Sequence, residues 1–282
     1  MMVEKRPVST VVRHAVLLCG VLLVLFPVYV ALVASSHPVE NLLGRIPAWF
    51  GGQLVDNFRQ VLGNGMAAAG GAPVGRMMIN SLIMALGIAL GKISISLTAS
   101  YAIAYFRFPF RPAFFWLIFI TLMLPVEVRI LPTFQVIADL NLLNSHVGLI
   151  MPLIASATAT FLFRQFFMTI PDELLEAARM DGAGPIRFFW DVVLPLSRTN
   201  IAAMFVILFI YGWNQYLWPL LITTEENMYT VVMGIQRMVT ATDWVPEWNM
   251  IMATAILGLL PPVVVVLIMQ RLFVKGLIET EK

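Results

Sequence analysis

Lys92, Glu127 and Arg129 are ionisable residues set in otherwise apolar stretches, and Asn214 and Gln215 stand in a row of aromatic residues, Tyr211, Trp213, Tyr216 and Trp218. A charge at bilayer depth costs roughly 2.5–3.5 kcal/mol on insertion scales, so such a residue faces a cavity or a partner. Two chemistries fit the charged set. In the first, Lys92 pairs with Glu127 across neighbouring helices and Arg129 reaches the outer headgroups, which serves packing and registry only. In the second, Lys92 or Arg129 lines a path and offers positive charge to a phosphomonoester, gripped by arginine in a planar fork and met by lysine as a point charge. Glu127 and Arg129 are two apart and do not face each other on a helix. The amides of Asn214 and Gln215, beside aromatic rings, suit polyol hydroxyls and suit interhelical hydrogen bonds equally well.

A second group of residues can do mechanical work. Glu176-Ala177-Ala178-Arg179-Met180-Asp181-Gly182-Ala183, with Pro185, Phe188, Phe189, Leu194 and Pro195 after it, reads as two short helices. Thr169 with Asp172 three residues on predicts a capping box, and Asp172 and Glu173 favour a helix start. Gly182 can take the left-handed conformation that stops the first helix. Pro185 fits the first turn of the second helix, and Pro195 is expected to end it. Leu174, Leu175, Ala177 and Ala178 form an apolar face too small for a membrane span. A short rigid helix of this kind suits insertion into a groove on a partner.

Other chemistries find no support. Cys19 is the single cysteine, which excludes an internal disulfide framework and a four-cysteine metal site. His14, His37 and His146 are dispersed, so no metal is expected. His146, next to Ser145, reads as a solvated loop residue. Gly91-Lys92-Ile93-Ser94 is not a nucleotide-binding loop, because Leu86 stands where that loop needs glycine and the stretch is apolar. No Ser, His and Asp constellation argues for hydrolysis, and no basic stripe argues for nucleic acid. The expectation is a chain that is not an enzyme, with any ATPase on another polypeptide.

The elements that must hold these residues are membrane helices. Of the 282 residues 60% are hydrophobic and 12% charged, with a mean hydropathy of +0.86. Ordinary soluble domains are roughly 45–50% apolar and about 25% charged. Six apolar blocks, near 14–34, 77–102, 112–131, 147–168, 200–222 and 250–273, approach the roughly 20 residues that a spanning helix needs. The first continues past the length of a signal h-region and reads as an uncleaved span. With both termini on one side, twelve Lys and Arg residues fall there against five on the other, with Lys92 inside a span. That bias predicts cytoplasmic termini and a cytoplasmic loop between Met168 and Asn200. The outer segment 35–76, rich in Gly and Pro, predicts a loose loop with short helices. Trp244 and Trp248 suit the headgroup interface. Gly87 and Gly91 form a Gly-x-x-x-Gly pair that permits close helix approach.

On these residues a family can be named. Glu176-Ala177-Ala178, two residues, Asp181-Gly182-Ala183, then Leu194-Pro195 resembles the coupling loop of ATP-binding-cassette importer permeases, in its usual place before the last two spans. The resemblance implies that this loop docks into a cleft on a cytoplasmic ATPase through Glu176, Ala177, Ala178, Asp181, Gly182 and Pro195. Over nearly all of the core the chain resembles the carbohydrate-type permeases. The stretches 121–129, 155–167 and 211–219 and the ending 269–282 look like the branch serving sn-glycerol-3-phosphate importers. The segment 35–76 matches least.

What this implies is an all-α type I importer permease with six transmembrane helices and both termini cytoplasmic. Residues 1–76 would be tail, first helix and periplasmic loop; 77–273 the transmembrane core with the coupling loop at 169–199; and 274–282 a cytoplasmic tail. It further implies a bacterial inner-membrane protein paired with a second, homologous permease, in contact with membrane lipid. Two copies of an ATPase subunit would carry ATP and Mg²⁺, a periplasmic binding protein would deliver cargo, and this chain itself would hold no cofactor. Sugar permeases of this type tend to be uncharged where Lys92, Glu127 and Arg129 stand, a departure that leaves both the packing reading and the phosphate-ester reading open. Alternatives are the same architecture importing a neutral sugar or oligosaccharide, or an ion-coupled secondary transporter. The latter predicts broken helices in matching halves and leaves the docking loop unexplained.

Overall fold

Long apolar runs must satisfy their backbone groups internally when no water is at hand, and the helix does so within one segment. The computed structural model describes residues 7–45, 47–65, 71–121, 126–240 and 246–279, with side chains except at 7–10, 126–127 and 271–279. Among the described residues the regular structure is entirely helical. The helices are α1 (Pro7–Ala34), α2 (Leu54–Gly63), α3 (Val74–Tyr105), α4 (Arg111–Ile120), α5 (Val126–Asp139), α6 (His146–Ile150) and α7 (Ala157–Phe167). They continue with α8 (Asp172–Met180), α9 (Pro185–Phe188), α10 (Leu194–Leu196), α11 (Arg198–Trp213), α12 (Leu217–Ile222), α13 (Val231–Thr240) and α14 (Trp248–Glu279).

Val11–Ala34, Val74–Tyr105 and Trp248–Gln270 are each long and apolar enough to cross a membrane. Two further stretches qualify only as bent pairs, His146–Leu153 with Ala157–Phe167 at 50° and Pro185–Leu196 with Arg198–Trp213 at 72°. The apolar block expected as a single helix at 147–168 is therefore interrupted, while the 72° bend lies at Ser197, before the block at 200–222, which is divided between Trp213 and Leu217. Pro152 tightens the chain into a 3-10 turn at Met151–Leu153, and Ser156 then caps a new helix by accepting from the Ala159 N–H. Likewise α11 stops at Asn214 and α12 begins at Leu217. The block 112–131 is divided between α4 and α5, with 122–125 outside the described residues.

The chain forms two compact units, residues 1–75 with 234–259 and residues 76–233 with 260–282. In the first unit, α1 presents Leu17, Leu23 and Val24 fully to its surroundings, an apolar surface that suits lipid. The segment after it does contain short helices, a 3-10 turn at Val39–Leu42 and α2, but it is not loose. Asn57 Nδ2 donates to the carbonyls of Ser35 and His37, the Gly51 N–H donates to Ser36 Oγ, and Tyr29 Oη donates to Ala48 O. These side-chain bonds take over the role that a regular ladder would play.

The second unit is built on α3. Its Gly87 and Gly91 are approached by the α6–α7 segment so closely that an added Cβ would stand 2.6 Å from Ile150 Cδ1 and 2.6 Å from Ile154 Cγ2. Gly212 of α11 approaches the same helix, where a Cβ would lie 2.9 Å from Ala85 Cα. Met84, Ile88, Ile137, Leu149, Leu153, Trp218 and Ile222 fill the core between these elements. Trp218 Nε1 donates to Gly148 O, and the Asn144 N–H donates to Ile222 O, fastening α12 to the start of α6. His146, expected in solvent, is half-buried, with Nε2 3.2 Å from Asn80 Oδ1.

Candidate functional site

The breaks in α6–α7 and α11–α12 decide where polar groups meet. Lys92 sits on α3 and is only 7% exposed. Its Nζ lies 3.8 Å from the centre of the Tyr211 ring on α11. Packing of a cation on an aromatic face offsets part of its desolvation. A hollow of about 330 Å³ opens beside it, lined by Lys92, Arg129, Tyr211 and the residues at the second break, Ala155, Ser156, Ala157 and Thr158. A second hollow, of about 380 Å³, is lined by Arg129, Tyr211, Asn214, Gln215, Tyr216 and Trp218 among others. The two share Arg129 and Tyr211.

Four residues singled out for cargo contact are thus brought together: Lys92 on one hollow, Asn214 and Gln215 on the other, and Arg129 on both. Arg129 is exposed and Lys92 is buried, so the same sign of charge is offered from a free side chain and from a fixed one. Gln215 Nε2 donates to the Tyr211 carbonyl at 3.1 Å, which turns the amide back along its own helix. The side chain of Glu127, and with it the expected pair to Lys92, lies outside the described residues. Tyr211 is the residue that sequence reasoning undervalued. It was visible only as one ring in an aromatic row, and its role as shared wall depends on α3 crossing α11.

The residues expected to dock on a partner lie elsewhere on the same unit. The first turn of α8 carries Asp172 and Glu173, and its last turn carries Arg179, the polarity expected from the helix dipole. The capping box does not form. Pro171 occupies the N-cap, and Thr169 Oγ1 donates to Phe166 O at the end of α7. Gly182 has φ +73°, the left-handed stop anticipated for it, and Pro185 stands in the first turn of α9. Glu176, Ala177, Asp181 and Gly182 are exposed and Ala178 is half-buried. The most exposed apolar side chains here are Met180 at 83% and Ile186 at 77%.

Pro195 does not end the helix that begins at Pro185. Residues 189–193 widen into a π-turn in which the Leu194 N–H reaches Phe189 O, and the helix runs on through α10 to Leu196. The wider turn relieves the clash that a proline ring makes with the carbonyl four residues back. Pro195 lines a separate apolar hollow with Leu90, Ile93 and Phe205, away from the other docking residues.

Two tyrosines tie the hairpin to α3. Tyr101 Oη donates to Pro185 O at 2.7 Å, and Tyr105 Oη donates to Phe167 O at 3.2 Å. Their rings pack on Phe189 and on the buried Phe188, with centroids 4.9 and 5.4 Å apart. The spacing Tyr101 to Tyr105 puts both on one helical face, a signal present in the sequence and not used.

Comparison with known proteins places this geometry. Residues 92–279 match the family model described as binding-protein-dependent transport system inner membrane component. The sn-glycerol-3-phosphate transport system permease protein UgpE of Rhizobium meliloti (strain 1021) is 56% identical over 282 residues, all of both chains. Its counterpart from Yersinia enterocolitica serotype O:8 / biotype 1B is 57% identical over 283 residues, again all of both. A chain in the crystal structure of a bacterial ABC transporter involved in the import of the acidic polysaccharide alginate shares the fold, with a TM-score of 0.80 at 18% identity, over 96% of this chain and 98% of that one. With several apolar helices of spanning length, the protein is a multi-pass membrane protein. Matched by the family model over most of its length and by full-length permeases at more than half identity, the chain belongs to the binding-protein-dependent transport system inner membrane components.

Proposed function

We propose that this chain is one permease of an ATP-driven bacterial importer whose cargo is sn-glycerol-3-phosphate. The observation that carries the cargo reading is the placing of buried Lys92, Arg129, Asn214 and Gln215 around two hollows that share Arg129 and Tyr211 as lining. Positive charge suits the phosphoryl end and amides beside rings suit the glycerol hydroxyls. The full-length relatives, named as permeases of sn-glycerol-3-phosphate transport systems, support the same cargo.

In this reading six helical spans lie in the inner membrane with both termini in the cytoplasm, the interrupted helices counting as single passes. A second permease completes the path, a periplasmic binding protein delivers cargo, and two ATPase subunits hold ATP and Mg²⁺. The hairpin of α8–α10 docks on one ATPase through the surface around Glu176, Ala177, Asp181 and Gly182, with Met180 and Ile186 as apolar knobs. Movement there passes through Tyr101 and Tyr105 into α3, the helix that carries Lys92. ATP and the loaded binding protein favour different states of the bundle, which is the free-energy source for coupling.

The test is uptake of labelled sn-glycerol-3-phosphate in cells lacking this chain, with and without its restoration. Restored uptake that neutral sugars do not compete with supports the cargo. Uptake suppressed by a neutral oligosaccharide and indifferent to Lys92→Met would contradict it.

A further inference from the structure

The proposed cargo has two chemically different ends, and the two hollows differ in the same sense. The hollow beside Lys92 is also where α7 begins. Four N–H groups at the start of any helix find no acceptor within it, and the helix dipole adds positive potential there. In α7 the Ser156 hydroxyl takes the Ala159 N–H at 3.2 Å. Ala157 and Thr158, whose N–H groups precede it in the first turn, line the hollow together with Lys92 and Arg129.

Lys92 is the independent sign of a ligand. An ammonium has three donor protons. This one is 93% removed from solvent, faces the hollow, and rests on the Tyr211 ring, with no oxygen accepting from it among the described residues. A structural lysine in such a place would carry a carboxylate or carbonyl partner. Here the donors of Lys92, the fork of Arg129 and the open turn of α7 converge on one space, and among the described residues none offers them an anion.

We infer that the hollow at the start of α7 is an oxyanion seat that fixes the orientation of cargo. The phosphoryl oxygens take hydrogen bonds from the first-turn N–H groups of Ala157 and Thr158, with Lys92 and Arg129 supplying charge. The remainder of the molecule extends past Tyr211 into the hollow of Asn214 and Gln215. This inference rests on the proposed cargo and adds the first-turn N–H groups of α7 as the seat that holds its phosphoryl end.

Proline at the first helical position removes one N–H while suiting the helix. Ser156, at φ −147° and ψ 105°, already has the extended backbone favoured before proline. Ala157→Pro therefore deletes a donor with little strain, and Leu162→Ala, at an exposed position of the same helix that lines neither hollow, serves as a control. The complete transport complex is reconstituted in nanodiscs without its binding protein and titrated with sn-glycerol-3-phosphate, inorganic phosphate and glycerol in turn. The expected result is that Ala157→Pro weakens sn-glycerol-3-phosphate and inorganic phosphate alike, by on the order of tenfold, with Leu162→Ala unchanged. Asn214→Ala is expected to weaken sn-glycerol-3-phosphate and leave inorganic phosphate as it was. Equal binding of phosphate by the original and by both Ala157→Pro and Lys92→Met overturns the seat while the cargo reading stands. No binding of sn-glycerol-3-phosphate, in a complex that also fails to transport it, overturns both.

Discussion

The hollows around Tyr211 and the hairpin around Gly182 hang on the same helix and obey opposite rules. At the hollows a charge is buried, its position set by helices packed at glycine contacts, and polar groups come from places where helices break. At the hairpin the charges are exposed and the apolar side chains Met180 and Ile186 stand out in the open. In the proposed reading the first region meets a small polar molecule and the second a protein surface. Along α3 the nine helical steps from Lys92 to Tyr101 span roughly 14 Å at the helical rise. One continuous helix therefore joins the two regions, and in the proposed reading it links recognition to movement.

Variants should separate these roles. The largest effect is expected from Gly182→Val, because a β-branched residue resists φ +73° and the turn that presents α8 is lost. Energised uptake should fall at least tenfold, with cargo binding by the assembled complex intact. Lys92→Met should do the reverse: binding of the phosphorylated cargo weakens by about tenfold, the size of a lost charge-assisted hydrogen bond, while the ATPase still co-purifies. Gly91→Leu, which drives a side chain into Ile154, should lower the thermal stability of the purified chain, with an overpacking cost of about 1–3 kcal/mol. The smallest change is expected from Tyr101→Phe. It deletes the hydrogen bond to Pro185 O, worth about 1 kcal/mol, and should reduce cargo-stimulated ATP hydrolysis a few-fold without altering cargo binding. Loss of cargo binding in Tyr101→Phe would break the division between the regions.

Much of this was legible in residue types. Hydropathy located the three helices long and apolar enough to span, α1, α3 and α14, Gly182 and Pro185 marked the hairpin's turn and restart, and Gly87 with Gly91 announced a close contact. The interruptions were not legible, because an apolar run looks the same whether its helix continues or restarts; only Pro152 and Ser156, read together, hint at a break. Broken helices had been expected only of an ion-coupled carrier, yet they occur in this chain and line its hollows. Thr169 was misread because a hydroxyl can bond back to a preceding carbonyl as readily as cap forward. The segment after α1 looked loose since its order comes from side chains such as Asn57 and Ser36 bonding to backbone far along the chain. Trp244, assigned to the headgroup region, lies outside the described residues.

The claim on which the account turns is that a partner motor, acting through the hairpin, drives transport of a phosphorylated solute past Lys92. Proteoliposomes holding the complete complex, with the loaded binding protein and ATP, allow accumulation of labelled sn-glycerol-3-phosphate to be followed directly. The account predicts accumulation against a gradient by the original chain and its loss when the hairpin 169–199 is replaced by a flexible linker that still permits assembly. Undiminished accumulation with the hairpin replaced would contradict it.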